Sequence, residues 1–352
     1  MHYLSVGTGA TGTRLMSGFD VVVVGGGPAG CATAIHCAQR GLRVGLLERS
    51  HFPRHRPGET LHPGIEPLLQ QLGVNALWAQ TSLRHSGHWV HWDGPPRFHS
   101  FSYGPWRGFQ LSRALLDQQL LEQARMLDVQ VFQPTRACQA LLQHGRVAGV
   151  KTDHLHWKAH FVVDATGHHG WLQRQLQIPW LRFSPQLIAR YGYCRCTRFQ
   201  QKNLGLFAHE HGWHWIARIS DECLHWTQLQ FVEGTPRLGR PQMLDQFTAI
   251  GTVRGADVSW RRCLNTAGPG YFLVGDAAAT LDPCASHGVI KALVSGMQAA
   301  SAIIDCLSWP AGESTVHAAY QAWVQATFER EVMALRNFYR IHPYPPPWLS
   351  LR

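Results

Sequence analysis

Residues 19–49, FDVVVVGGGPAGCATAIHCAQRGLRVGLLER, constrain the fold more than any other stretch of the chain. The apolar run ending at Val24 reads as a buried strand, the glycines as a tight turn, the alanine-rich segment after Pro28 as a helix, and VGLL as a second strand ending at Glu48. Gly25, Gly27 and Gly30 fall on the G-x-G-x-x-G spacing. The first glycine permits the turn, the second lets the backbone touch a pyrophosphate, and the third brings helix against strand. Pro28 and Ala29 belong to the same turn. An anion placed there sits on a helix N-terminus, where free amides and the helix dipole favour negative charge. Glu48, 18 residues beyond Gly30, is placed to accept hydrogen bonds from ribose hydroxyls, with Arg49 beside it. Strand, glycine turn, helix, strand and terminal acid together predict a dinucleotide site in an α/β domain with a parallel sheet.

That unit alone leaves NAD and FAD open. A second stretch near the other end, YFLVGDAAATLDPCASHGVIKA, decides for FAD. A strand delivers Gly275 and Asp276 at its end, and a turn from Pro283 through Ser286 to Gly288 starts a helix expected to run to about Asp305. An aspartate so placed binds a ribityl hydroxyl. The helix N-terminus points its positive end at the side of a flavin where charge gathers on reduction.

Taken in order, GGGPAG with Glu48, GFQLSRALLDQQLLEQA around Arg113, FVVDATGHHGWLQRQL with Asp164 and Gly167, and VGDAA at Gly275–Asp276 resemble the FAD-dependent monooxygenases of the para-hydroxybenzoate hydroxylase type. The resemblance spans most of residues 18 to 310. It implies a Rossmann-like FAD-binding domain with an inserted antiparallel β-sheet substrate domain and a C-terminal helix, with Arg113 flanking the cofactor and the DATG loop near the pyrophosphate. RPGETLHPG, which carries Arg56, Glu59, Thr60 and His62, is similar to a segment that runs beside the flavin in flavin-dependent halogenases, geranylgeranyl reductases and the flavoproteins that modify a tryptophan in a partner polypeptide. DPCASHG likewise looks like the turn of that halogenase-like branch. The closest overall likeness is to the flavoprotein monooxygenases that mature tryptophylquinone enzymes.

What this likeness implies is hydroxylation of an electron-rich aromatic, a tryptophan side chain of a partner protein, through a flavin C4a-hydroperoxide, with NAD(P)H as electron donor and molecular oxygen as co-substrate. The protein must then keep the site dry and hold the ring in place. His62, His287 and Lys291 are the candidate catalytic groups; each histidine suits proton transfer near neutral pH. Two alternatives stand in the same fold, a flavin-dependent halogenase and an isoprenoid double-bond reductase, and a third is a non-catalytic flavin-binding maturation scaffold. The halogenase chemistry calls for a lysine in the first third of the chain, and the first lysine here is Lys151. GWHWIARI also carries Ala217 and Arg218 where a halogenase signature has isoleucine and proline.

Alternating apolar and polar residues between Phe183 and Arg262 predict the substrate sheet, joined by part of 85–110. Trp213 and Trp215 share one face of a strand there and are taken as substrate-lining. The expected division is a flexible tail over 1–17, the FAD-binding domain over 18–182, the substrate sheet over 183–262, a second part of the FAD-binding domain with C-terminal helices over 263–340, and a Pro-rich tail over 341–352. The net charge of +10, with 32 basic residues of which four are lysines, favours an anionic partner, and an acidic precursor polypeptide fits. The basic residues are scattered and match no nucleic-acid-binding module, so no nucleic acid is expected. Nine cysteines in mostly apolar surroundings read as reduced thiols, which places the protein in the cytoplasm. No secretory signal, membrane segment or metal motif is read.

Overall fold

The protein is described by a computed structural model covering residues 6–8, 14–74, 82–101, 107–231 and 239–351. The glycine-rich unit folds as strand Arg14–Val24, helix α1 (Pro28–Ala38) and strand Val44–Leu47. Val21, Val22, Val23 and Leu46 are fully buried. Helices and sheets cover both faces of this sheet, which is why its strands read as continuous apolar runs rather than alternating ones. The parallel core runs Tyr271–Leu273, Leu155–Asp164, Arg14–Val24, Val44–Leu47, Gln130–Phe132. Its strands end on one side, at Leu273, Asp164, Val24, Leu47 and Phe132, and the crevice beyond those ends is where such folds place a ligand.

The remaining helices are α2 (Ile65–Gln71), α3 (Arg113–Met126), α4 (Trp171–Gln175), α5 (Gly288–Ser308) and α6 (Glu313–Arg340). By length and composition α5 is apolar enough to cross a membrane. Its buried residues Leu293, Ala299, Ala300 and Ile303 instead share one core with Cys31, Ala32 and Ile35 of α1.

A second sheet of seven strands runs Thr248–Asp257, Ile188–Arg195, Cys223–Gln230, Gly212–Ser220, Gly205–His209, Gly87–His91, Arg97–Ser100. It is antiparallel except for one parallel pair, Gly205–His209 beside Gly87–His91. The chain leaves this sheet after Ser100, builds part of the cofactor domain, and re-enters it at Ile188, so the join between the two contributions need not reverse direction. Tyr191 and Trp215 both stand opposite Thr227, and Tyr193 opposite His225. Directly paired residues point to one face, so these five share a face, and the Tyr193 hydroxyl on it reaches Glu59 of the cofactor domain.

Asp282 ties both domains to α6. Its carboxylate accepts hydrogen bonds from the Trp260 indole N–H (2.6 Å), the Tyr339 hydroxyl (2.8 Å) and the Cys284 backbone N–H (3.0 Å). Tyr339 in turn accepts from the Trp213 indole at 2.8 Å. Trp213, Trp260, Tyr339 and Asp282 are all buried. Burial pushes the Asp282 carboxyl above its ordinary range, and the three donors counter that push. Trp213 therefore offers no surface to a ligand, contrary to the sequence expectation. It is a core residue because its N–H is needed by Tyr339.

Neither terminus is wholly a loose tail. Val6–Thr8 pairs with Arg14–Met16 as an extension of the first strand. At the other end the His342 ring lies 2.9 Å from the Gly212 carbonyl and Trp348 packs edge-on to Trp260. Tyr339→Phe removes the hydroxyl that serves both Asp282 and Trp213. The expected cost is about 1–3 kcal/mol of stability, the usual penalty for unpaired buried polar groups, seen as a lower urea midpoint with the slope unchanged.

Candidate active site

Close backbone approach builds the cradle at the strand ends. Gly25 has φ +109°, and a Cβ there would lie 2.4 Å from the Ala165 carbonyl oxygen. A Cβ on Gly30 would lie 1.9 Å from the Gly25 oxygen. Gly27 caps α1 ahead of Pro28, and a Cβ there would meet only the Arg54 guanidinium, at 3.5 Å. The start of α1 thus presents open backbone under an arginine. Ala29, one residue on, packs against Gly275. Glu48 is buried, with one carboxylate oxygen on the Gly26 N–H and the other on the Ser50 N–H, each at 2.8 Å.

Arg54 was not among the residues read from the sequence. Its guanidinium lies 3.5 Å from Asp117 and 3.8 Å from Glu48, and its buried Nε has no hydrogen-bond partner among the described residues. Arg49 and Arg56, expected at the cofactor, are exposed. Arg113 does not reach the glycine turn: it forks onto Asp117 at 3.0 Å and donates to the Pro57 carbonyl at 3.0 Å. It holds the loop that carries Arg54. Alternating arginines in PRHRP give no sign of which one turns inward; the buried Asp117, four residues after Arg113, is the signal that was available.

Asp164 is fully buried, and its carboxylate accepts from the Thr166 N–H and hydroxyl and from the Leu172 N–H. It has no acceptor capacity facing outward; it shapes the loop on which Gly167, at φ +67°, borders open space. Asp276 is exposed on the Gly275–Ala277 turn, and the Gly275 N–H is held by the Ser295 hydroxyl at 2.8 Å. The open α1 terminus, the inward Arg54 with its unpartnered Nε, Glu48 and Asp276 fit the pyrophosphate, ribose and ribityl parts of FAD.

The two flavin-proximal segments meet: the Ser286 hydroxyl donates to the Thr60 carbonyl at 3.2 Å, and the Thr60 hydroxyl donates to Gln110 at 2.9 Å. Pro283 opens the turn and Gly288 begins α5, with no atom within 4 Å of a Cβ there. Glu59, expected at the cofactor, is buried against the substrate sheet instead. It accepts from the Tyr193 hydroxyl at 2.5 Å and lies 3.7 Å from the His225 ring.

A cluster of rings spans from this turn to the sheet. His62 lies edge-on to His287 (5.3 Å between centroids) and to Phe101 (6.1 Å); Phe101 neighbours His85 (5.4 Å) and His88 (6.3 Å); His88 meets Trp215 at 5.3 Å. Burial lowers the basicity of all four histidines, His88 to about 4. They are therefore neutral imidazoles at neutral pH. Lys291, by contrast, is committed to Glu331 of α6 at 3.0 Å. Trp215 is the one substrate-lining tryptophan of the expected pair that faces this cluster. His85, His88 and Phe101 were not singled out from the sequence, although they fall in the 85–110 stretch assigned in part to the sheet.

Residues 18–197 match the family described as FAD binding domain. The chain belongs to this family. It is an FAD-dependent oxidoreductase with the fold shared by flavoprotein monooxygenases and halogenases. Among curated relatives, a tryptophan 2-halogenase of Chondromyces crocatus is 25% identical over 94% of this chain and 69% of its own. A digeranylgeranylglycerophospholipid reductase of Thermoplasma volcanium is 26% identical over 92% and 87%. Among solved structures, the flavin-dependent halogenase CmlS superposes with a TM-score of 0.81 at 26% identity, covering 96% of this chain and 68% of its own. The peptidyl tryptophan dihydroxylase QhpG gives 0.75 at 21% identity, covering 95% and 78%, a likeness of fold alone.

Two outcomes follow. Arg54→Ala should weaken FAD binding by roughly ten- to hundred-fold, the range of about 1.5–3 kcal/mol for a charged hydrogen bond, with the far-ultraviolet circular dichroism unchanged; fluorescence titration of the apoprotein checks it. The folded protein keeps His88 neutral down to about pH 4, while the unfolded chain takes up that proton near 6.5. The unfolded state binds more protons in this window, so stability falls as pH drops from 6.5 to 4. Urea midpoints across that range should show a shallower slope in His88→Gln.

Proposed function

We propose that the protein is a flavoprotein monooxygenase that hydroxylates an electron-rich aromatic ring of the indole class, carried as a tryptophan side chain on an acidic partner polypeptide. The ring cluster is the observation that carries this reading. Between the Pro283–Gly288 turn and the substrate sheet stand His62, His287, Phe101, His88 and Trp215, flat neutral groups suited to hold an aromatic ring by stacking and edge contacts. Bound FAD supplies the redox chemistry that activates dioxygen.

The chain's own groups orient the ring and manage one proton. The His62 Nδ1 accepts from the Gly64 backbone N–H at 3.0 Å, so the neutral imidazole carries its hydrogen on Nε2 and offers that atom as a donor. His287, beside it, is held neutral by burial first and by His62 second. Overall, the aromatic C–H becomes C–OH with one oxygen atom of dioxygen, the other leaves as water, and NAD(P)H and a proton supply two electrons and two protons. The formal charge of +10 favours encounter with an acidic partner.

The halogenase relatives favour a second reading, in which the same ring is halogenated. Against it, the first lysine in the chain is Lys151, and Lys291 is paired with Glu331.

One incubation separates the readings: FAD-loaded protein, NADH or NADPH, labelled dioxygen, sodium bromide and a glutamate-rich peptide containing one tryptophan. The expected product is the peptide with one labelled oxygen on the indole, read by mass spectrometry. A brominated indole assigns the halogenase. Unmodified peptide, with NAD(P)H oxidation no faster than in its absence, overturns the oxygen-transfer proposal for peptidyl tryptophan.

A further inference from the structure

Between α5 and α6, beside the Gly275–Ala277 turn, lies a cleft of about 220 Å3 that the proposed reaction does not use. Ile290 and Val294 of α5 face Trp323 and Phe328 of α6 across it. Thr327 and the Lys291–Glu331 pair, 3.0 Å apart, also border it. Gly275, Asp276 and Gly288 also border it, so the cleft shares its wall with the turn that fits the cofactor.

We infer that this cleft is a binding site for a free, neutral aromatic molecule of the indole class, separate from the ring cluster around Trp215. Size points to that class. An apolar cavity of about 150 Å3 holds benzene, and this cleft is about half as large again, enough for two fused rings. The lining points the same way. Two aromatic side chains and branched aliphatics favour a flat apolar ligand, and the Thr327 hydroxyl and Glu331 carboxylate offer acceptors for one N–H. Lys291 and Glu331 neutralise each other, and the remaining carboxylate of the lining, Asp276, is the one assigned above to the ribityl chain of FAD, so the cleft offers no free cation to an anionic ligand. Because Gly275, Asp276 and Gly288 serve both sites, a molecule here changes the surroundings of the flavin, and by reciprocity FAD changes the affinity for that molecule.

Indole is the probe, titrated into FAD-loaded protein without NAD(P)H and read by calorimetry and by the flavin difference spectrum. This measures binding without turnover, so its outcome is independent of the oxygen-transfer experiment. A binding event that survives Trp215→Ala is expected, accompanied by a change in flavin absorption. Thr327→Trp, which fills the cleft, should weaken that event at least tenfold with FAD content unchanged. Val294→Phe fills it from the opposite helix and decides the matter if the first variant is unstable. No event surviving Trp215→Ala, or one that persists in both filled variants, overturns the assignment.

Discussion

The architecture depends on backbone surfaces that tolerate no side chain. Gly30 lies on the Gly25 carbonyl, Gly25 on the Ala165 carbonyl, Gly275 on the Ala29 methyl, and Gly296 on the Ala29 carbonyl, with hypothetical Cβ distances of 1.9, 2.4, 3.1 and 2.3 Å. Four segments spread over some 270 residues are thereby drawn to one point at the ends of the parallel strands. Only there does the start of α1 lie open beneath Arg54 while the Gly275–Asp276 turn stands beside it. A methyl group at Gly25, Gly30 or Gly296 forces apart surfaces that the rest of the site requires in contact, since interiors packed at this density do not yield smoothly.

A second constraint holds the substrate side in place. Asp282 begins the turn that leads to His287 and Gly288, and its three donors come from the substrate sheet's flank, from α6 and from the turn itself. The ring cluster is consequently suspended between fixed supports: His62 and His287 on the cofactor side, His88 and Trp215 on the sheet. Glu59, Tyr193 and His225 make a separate polar link between the same two bodies. Neutral surroundings follow, because partial burial lowers the basicity of each histidine in the cluster.

Much of this was legible in the linear order of residues, and the failures have physical causes. The glycine spacing located the cradle because positive φ and close approach restrict a position to glycine. The strand before Asp276 and the Pro283–Gly288 turn were equally plain, since Pro and Gly mark local geometry directly. Arg54 was missed because which of several arginines turns inward depends on the buried carboxylate of Asp117, contributed by a helix more than sixty residues away in sequence. Asp164 and Trp213 were assigned to ligands because polar and aromatic residues near a site look alike whether their hydrogen bonds point outward or inward. The parallel pair within the second sheet follows from a long excursion of the chain, and residue alternation carries no record of strand direction.

A crystal structure of the FAD complex tests the arrangement most directly. The pyrophosphate should accept hydrogen bonds from the first backbone N–H groups of α1 and from the Arg54 guanidinium, with the flavin edge against Gly288 and the ring cluster facing it. A complex in which Arg54 stays on Asp117 away from the phosphates, or in which the flavin ring lies between α5 and α6, would contradict it.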